Sequence, residues 1–391
     1  MLWLLLAAFC LIILFYFYKN EIEVKVIISK TPSKSTPRIG IVSDWHLKGV
    51  SYQSKFLSKC LSGKYDVFIF AYNEYIKDDR DWGYKKLVFT KVIKPKKVID
   101  WIKKEGLKIV FFPDRLEDTE VLDWCRKNNV ATIMIINYET IKRREIHLYK
   151  KYTKLLCPVR CTELLLKKLR LKNTKFIRWG IDNDIFYPKT KAIRTPIRYI
   201  HNAGYGGIEW RKNTLAAVEA FNIASRHNKD MKFILKTQKP IKEFPPRVAY
   251  LASKNRNIVV NNKNMKLNEL IGLYRSCHVS ILPSKWEGIG IPFIESLALG
   301  LPVITTDAPP MNEWVRHGYN GFCAKVREWL PRRDKQLLVE GAEADINDLT
   351  KFIIKFSDIK TLKKMRANAI KSSKDSKKNF TMEMNKFIRS L

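Results

Sequence analysis

The chain reads as an α/β protein built of two domains with mainly parallel sheets. Two observations predict this. Its 391 residues, 46% of them hydrophobic, are enough for two domains with proper cores. Strand-like and helix-like runs alternate along its length, and that alternation sets strands in parallel with helices packed on their faces. No internal repeat is visible. The formal net charge of +35 implies attraction to polyanions: phosphorylated small molecules, anionic lipid surfaces or nucleic acid. The basic residues are dispersed and no nucleic-acid motif accompanies them, so most of them read as a solvated surface.

Leu2 to Tyr18 is an unbroken apolar run, LWLLLAAFCLIILFYFY. About 17 residues can span a bilayer. The start carries no basic residue and the exit is Phe-Tyr-Lys, which disfavours a cleaved signal peptide. The expectation is an N-terminal transmembrane helix over residues 1–20. Lys19, Lys25, Lys30 and Lys34 all follow it, so the positive-inside bias puts the folded body in the cytosol. Residues 21–37 read as a linker. The first domain is expected over 38–190, the second over 191–345, and C-terminal helices over 346–391. Seven scattered cysteines in mostly apolar contexts suggest reduced core residues rather than a disulfide frame.

In the first domain Arg38–Ser43 reads as the leading buried strand. The loop Asp44–Val50 after it comes where open α/β sheets bind ligands, which makes Gly49 and His46 candidates. His46 reads as a base or as an ordinary loop residue. Further strands are expected at Tyr65–Ala71, Lys108–Phe112, Ala131–Ile136 and Leu155–Pro158, with amphipathic stretches such as Lys96–Lys104 and Glu117–Asn128 between them. Asp78-Asp79-Arg80-Asp81 has a metal-binding D-x-D spacing but no apolar strand before it, so it reads as a solvated turn.

The second domain opens with a strand at Ile197–Ala203, followed by Gly204-Tyr205-Gly206-Gly207, Trp210-Arg211-Lys212-Asn213 and a helix at Thr214–Ser225. A glycine-rich turn with cations before a helix suits phosphate; the bland alternative is a solvated basic loop. Strands at Met231–Thr237 and Ile258–Val260 and a helix at Leu267–Ser276 lead to the most informative stretch, Val279 to Ala324. There a strand runs into a Gly-rich turn carrying Glu287, then into a short helix with Pro292 at its first position and Glu295 in its first turn. Gly288 and Gly290 allow close approach of a ligand, and the helix N-terminus suits an anion such as a diphosphate.

Pro283, Ser284, Glu287, Gly288, Gly290, Pro292, Glu295, Ala298, Gly300, Pro302, Val303 and Ile304 fall in register with P-S-x-x-E-G-x-G-x-P-x-x-E-x-x-A-x-G-x-P-V-I. This frame resembles the donor site of retaining GT-B glycosyltransferases of the group-1, glycogen-synthase-like family. The resemblance implies a GT-B fold, two Rossmann-like domains with a cleft between them, and a last helix that crosses back to the first domain. It further implies that Glu287 and Lys212 are catalytic, the first orienting the donor sugar, the second facing the diphosphate. Glu295 would hold the ribose, with Gly288, Ile289, Gly290, Arg211 and Gly49 also at the donor, and Asn261 and Met265 at the nucleobase. The family commonly has a His after the strand Ala131–Ile136; this chain has Asn137-Tyr138-Glu139, so Asn137 and Glu139 become candidate sugar contacts. The family's Gly-Arg pattern before the Lys is also absent.

The expected activity is retaining, metal-independent transfer from a nucleoside diphosphate sugar to a glycan, glycoprotein or lipid-linked acceptor, with no cofactor. Paired carboxylates also occur in glycoside hydrolysis. The alternatives from other classes are a binding-only GT-B protein and a basic nucleic-acid-binding protein.

Overall fold

Hydrophobic runs too short for helices set the frame. Val-, Ile- and Phe-rich segments such as Ile109–Phe112 and Val279–Leu282 are buried at every residue, as strands covered on both faces must be. In the computed structural model the described residues are 36–391, apart from 47–48, 76–83, 85, 115, 117–118, 190–191, 205–206, 209 and 333. The apolar run 2–18, the linker as far as residue 35 and Asp78–Asp81 therefore lie outside the described residues. Among those described, no helix is long and apolar enough to cross a membrane.

The first sheet holds β1 (Arg38–Trp45), β2 (Asp66–Tyr75), β3 (Leu87–Thr90), β4 (Ile109–Phe112), β5 (Ala131–Ile135), β6 (Lys154–Cys157) and β7 (Thr174–Phe176). Their order is β3-β2-β1-β4-β5-β6-β7, and neighbouring strands run parallel. The second sheet holds β8 (Ile197–Gly204), β9 (Met231–Thr237), β10 (Ile258–Asn261), β11 (Val279–Leu282), β12 (Val303–Thr306) and β13 (Gly321–Ala324). Its order is β10-β9-β8-β11-β12-β13, again parallel. In each sheet the strand order reverses next to the leading strand, at β1/β4 and at β8/β11. Loops leaving the carboxyl ends of strands at such a reversal form the natural crevice of an open α/β sheet. An antiparallel pair, β14 (Val326–Leu330) and β15 (Gly341–Ala344), follows.

Two elements differ from the sequence reading. A helix over Gly49–Leu61 begins inside the loop expected at Asp44–Val50 and has no counterpart in the sequence reading, because much of its buried face is polar: Ser51, Gln53, Ser54 and Ser58 pack inward beside Leu57, Cys60 and Leu61. Ser54 Oγ satisfies itself on the Val50 carbonyl at 2.9 Å and on Ser43 Oγ at 2.7 Å, so no apolar periodicity announces the helix. The C-terminal helical region breaks at Asp375, which sits at φ 56°, into Ile359–Ser373 and Ser376–Arg389. Leu362 and Met365 of the first piece join the core of the second sheet. The second piece lies on the first lobe, where Phe380 packs against Phe56 and Trp179 at centroid distances of 5.1 and 4.8 Å. Burying a ring of that size contributes about 1.5–3 kcal/mol. Asp182 accepts from its own chain at Asp184 N (3.2 Å) and pairs with Lys59 (2.5 Å) and Lys377 (3.2 Å), so it is both turn former and tie.

The six described cysteines are free thiols, five of them buried. His317 donates to or accepts from Cys323 across the turn before β13 and stacks edge-on with Phe322 and Phe352, a packing role.

Candidate active site in the interlobe cleft

The loops after β1, β5, β8 and β11 and the start of the helix Ile291–Ala298 enclose a cavity of about 600 Å³ between the lobes. Gly49, Gln53, Asn137 and Glu139 line it from the first lobe. Gly204, Gly207, Arg211, Lys212, Gly288, Ile289, Gly290, Glu287 and Glu295 line it from the second.

At its floor lies a charge cluster. Glu287 is 3% exposed and Lys212 5%. Lys212 Nζ donates to Glu287 Oε1, Ser284 Oγ donates to the same oxygen at 2.7 Å, and Arg211 Nη1 donates to Oε2 at 2.9 Å. Burial would push the Glu287 carboxyl up, but Lys212 and Arg211 overcome it and hold the group below the ordinary carboxylate range. Burial likewise draws the Lys212 ammonium below its ordinary value, with Glu287 opposing. Glu139 reaches Arg211 from the other lobe at 3.7 Å, and burial leaves its carboxyl raised. Glu295 stands apart: burial pushes its carboxyl up to about 7, with the Lys212 charge pulling the other way.

Backbone geometry fixes the cluster. Gly290 has φ 87°, and a Cβ there would come within 3.1 Å of the Trp314 ring. Trp314 Nε1 donates to the Ile289 carbonyl at 2.6 Å, pinning the Gly-rich loop. Gly207 is tighter still: a Cβ would stand 2.2 Å from the Ala203 carbonyl oxygen and 2.3 Å from Lys212 Cγ. Only a residue without a side chain lets the loop fold over the Lys212 stem. A second ring of polar contacts holds the neighbouring loop: Asn213 Nδ2 donates to Glu343 Oε1 at 2.7 Å and Lys285 pairs with Glu343 at 2.6 Å.

The lobes touch directly beside the cavity. Tyr138 N donates to the Gly288 carbonyl at 3.3 Å, and a Gly288 Cβ would stand 3.1 Å from Glu139 Oε1. Glu313 does not cap its own helix. Its carboxylate crosses the cleft and accepts from Arg160 N (2.7 Å) and Cys161 N (2.6 Å), the N-terminus of the helix Arg160–Lys168. The loop between β14 and β15 also bridges, with Arg143 N donating to Gln336 O at 2.9 Å and Leu338 N to Ile141 O at 3.0 Å.

Most of the residues singled out from sequence thus converge on one cavity. Asn261 and Met265 lie at the exit of the edge strand β10, outside its lining, and His46 is buried behind the loop after β1, also outside the lining. Gln53 and Asn202 line the cavity without having been singled out. Gln53 Nε2 donates to Asn137 Oδ1 at 3.4 Å, and its signal was lost with the helix that carries it.

Residues 204–378 match the family described as glycosyl transferases group 1. A mannosyltransferase named MMP alpha-(1->4)-mannosyltransferase, from Mycolicibacterium hassiacum, is 27% identical over 148 residues, 38% of this chain and 34% of that protein. The uncharacterized glycosyltransferase MJ1178 of Methanocaldococcus jannaschii is 36% identical over 84 residues, 19% of this chain and 24% of that protein. The chain thus spans well under two thirds of either relative. Among solved structures, the pneumococcal O-GlcNAc transferase GtfA in complex with UDP and GlcNAc superposes with a TM-score of 0.69 at 11% identity, over 91% of this chain and 99% of that one. Anabaena HepE in complex with UDP and glucose gives 0.69 at 10% identity, over 91% and 100%. At these identities the structures establish the shared fold of two Rossmann-like domains. The likeness to the group 1 glycosyl transferases is carried by residues 204–378, most of the second lobe and the start of the C-terminal helices.

Proposed function

We propose that the protein is a retaining glycosyltransferase that moves a sugar from a nucleoside diphosphate sugar to a glycan, glycoprotein or lipid-linked acceptor. The observation that carries this is the buried Glu287–Lys212 pair, with half-buried Arg211 beside it, under two glycine-rich loops at the strand-order reversal of the second sheet. The cost of breaking the sugar–phosphate bond is the charge that grows on the departing diphosphate. Preorganised cations in a site shielded from water offset it. In this reading Lys212 and Arg211 supply that charge together with the N-terminus of Ile291–Ala298, so no metal is required. Glu287 holds the two cations in place and orients the donor sugar, with the Gly288–Gly290 backbone beside it. Glu295 accepts from the ribose hydroxyls.

Glu139 and Asn137 take the acceptor-facing side, where the family's His is absent. Glu139 stands next to Gly288 and Arg211, close enough to receive a hydroxyl hydrogen bond from a sugar above the floor. The HepE and GtfA complexes contain UDP, which makes uridine diphosphate sugars the first donors to try. We further propose that residues 1–20 anchor the chain in a membrane with the folded body on its cytosolic side.

A thermal-shift screen against a panel of nucleoside diphosphate sugars, with and without chelator, tests the donor reading. Stabilisation by one nucleotide class that survives chelator is expected. A flat response across the panel would overturn donor binding, and stabilisation abolished by chelator would overturn metal independence.

A further inference from the structure

Away from the cleft, a groove of about 600 Å³ runs between the helix Ser376–Arg389 and the turn after the helix Gly49–Leu61. Five cations line it: Lys64, Lys377, Lys378, Lys386 and Arg389, against Asp184 and Asp375. Asp184 is already neutralised by Lys377 at 2.5 Å. Among the described residues Lys64, Lys378 and Arg389 form no salt bridge, and Lys386 has the 3.8 Å approach of Glu383. Lys378, Met382 and Lys386 recur every four residues and Arg389 three further on, so they share one helix face. Met382 is 53% exposed, an apolar side chain set among cations.

The place of this face in the fold gives it meaning. Gly49, at one end of the helix Gly49–Leu61, lines the cleft, while Lys64 lies just beyond the other end. Thirteen helical residues separate those ends by about 20 Å. The groove therefore belongs to the pole of the first lobe where strands begin. The described chain also enters there: Asp66 N donates to the Pro37 carbonyl at 3.2 Å, and Arg38 pairs in register with Asp66. Lys108 N donates to the Arg38 carbonyl at 3.4 Å, and both of those side chains are exposed, adding two more cations to the pole. The apolar run 2–18 thus precedes, through a linker with three lysines, the same pole that bears the groove.

We infer that this pole is a docking face for an anionic phospholipid bilayer, with Lys64, Lys378, Lys386 and Arg389 meeting lipid phosphates and Met382 entering the headgroup layer. The inference builds on the anchoring reading above, and it fixes how the body sits once anchored: strand-start pole against the bilayer, cleft about 20 Å or more from it. Charge complementarity and an amphipathic helix face are the two requirements of such an interface, and each basic side chain near an anionic leaflet strengthens partition roughly fivefold.

The test uses the full chain with vesicles of pure phosphatidylcholine and vesicles containing about one third phosphatidylglycerol (a composition that gives a strongly negative surface). A membrane-impermeant amine reagent is applied and each lysine is read by mass spectrometry. Lys64, Lys378 and Lys386 should lose reactivity on the anionic vesicles, while Lys229 and Lys351 on the second lobe react equally on both. High salt should reverse the protection. Equal reactivity of the groove lysines on the two vesicle types would overturn the inference. So would equal protection by a soluble oligonucleotide at matched phosphate concentration, which would reassign the face to a polyanion. Co-sedimentation with phosphatidylcholine alone reports the anchor separately, so failure of the anchor and failure of the face are distinguishable. A Lys378→Glu/Lys386→Glu/Arg389→Glu chain should lose the anionic-specific protection of Lys64 yet turn over donor as before.

Discussion

Replacing Glu287 by Gln removes one charge from a site where Glu287 and Lys212 are nearly shut off from water and Arg211 is partly so. Lys212, 5% exposed, would keep its ammonium but lose the carboxylate that compensates it, and Arg211 would lose its 2.9 Å partner. Breaking one side of a buried pair typically costs about 3–5 kcal/mol, because the surviving charge stays desolvated. For a domain of this size, each kcal/mol lowers the melting temperature by about 2–4 °C, so Glu287→Gln should lower it by roughly 10 °C. The informative partner is Lys212→Met, and above all the double variant. Once both charges are gone, the Met side chain fills the space of the lysine stem, and much of the lost stability should return while turnover does not. Calorimetry on the four proteins gives the coupling directly. A Glu287→Gln cost below about 1 kcal/mol, the range of exposed pairs, would refute the burial argument. So would a double variant no more stable than the sum of the singles.

The raised Glu295 carboxyl makes two pH statements. Its folded value, about 7, lies above the unfolded one, so its contribution is fully present below about pH 4.5 and is lost as pH rises through 7. The size is about 3 kcal/mol by the 1.36 kcal/mol-per-unit rule. Nucleotide binding should follow the opposite course if the carboxylate accepts ribose hydroxyls. Affinity for UDP should fall as pH drops below 7 beyond the nucleotide's own titration, and the excess should vanish in Glu295→Gln; identical profiles would contradict the role. Gly207→Ala should abolish donor binding, since the new methyl lies 2.2 Å from a backbone oxygen, and unchanged titration calorimetry would refute the loop's tightness. Glu313→Ala removes a cap worth about 0.5–2 kcal/mol and the carboxylate link between lobes. Small-angle scattering should report a wider, more variable lobe separation, and an unchanged curve would show that other contacts suffice.

Sequence made the second lobe far more legible than the first, for physical reasons. Around Glu287 and Glu295 each glycine and proline has a local steric cause, such as Gly290 in the left-handed region and Pro292 at the helix start, so residue types reveal the backbone. The first lobe holds its share of the cleft differently. The helix Gly49–Leu61 buries serines and a glutamine, so periodicity is silent, and Gln53 and its contact with Asn137 went unseen. β3, whose Val88 and Phe89 are exposed at the sheet edge, lacks the buried pattern of its neighbours. Cross-lobe contacts are the least legible of all. Glu313 lies in the first turn of the short helix Met311–Trp314, and nothing local says that it caps another helix more than 150 positions away.

The central claim is that fixed positive charge from Lys212 and Arg211 accepts the departing diphosphate. The most direct measurement is turnover of a nucleoside diphosphate sugar, followed by nucleoside diphosphate release in excess chelator, for the wild-type chain, for Glu287→Gln and for Glu287→Gln/Lys212→Met, the last two isolating the Lys212 charge. Removal of such a preorganised charge predicts a fall in kcat of about 10²–10³ or more with the wild-type chain active throughout. Equal rates for the two variants, or a wild-type rate that appears only when divalent metal is restored, would contradict it.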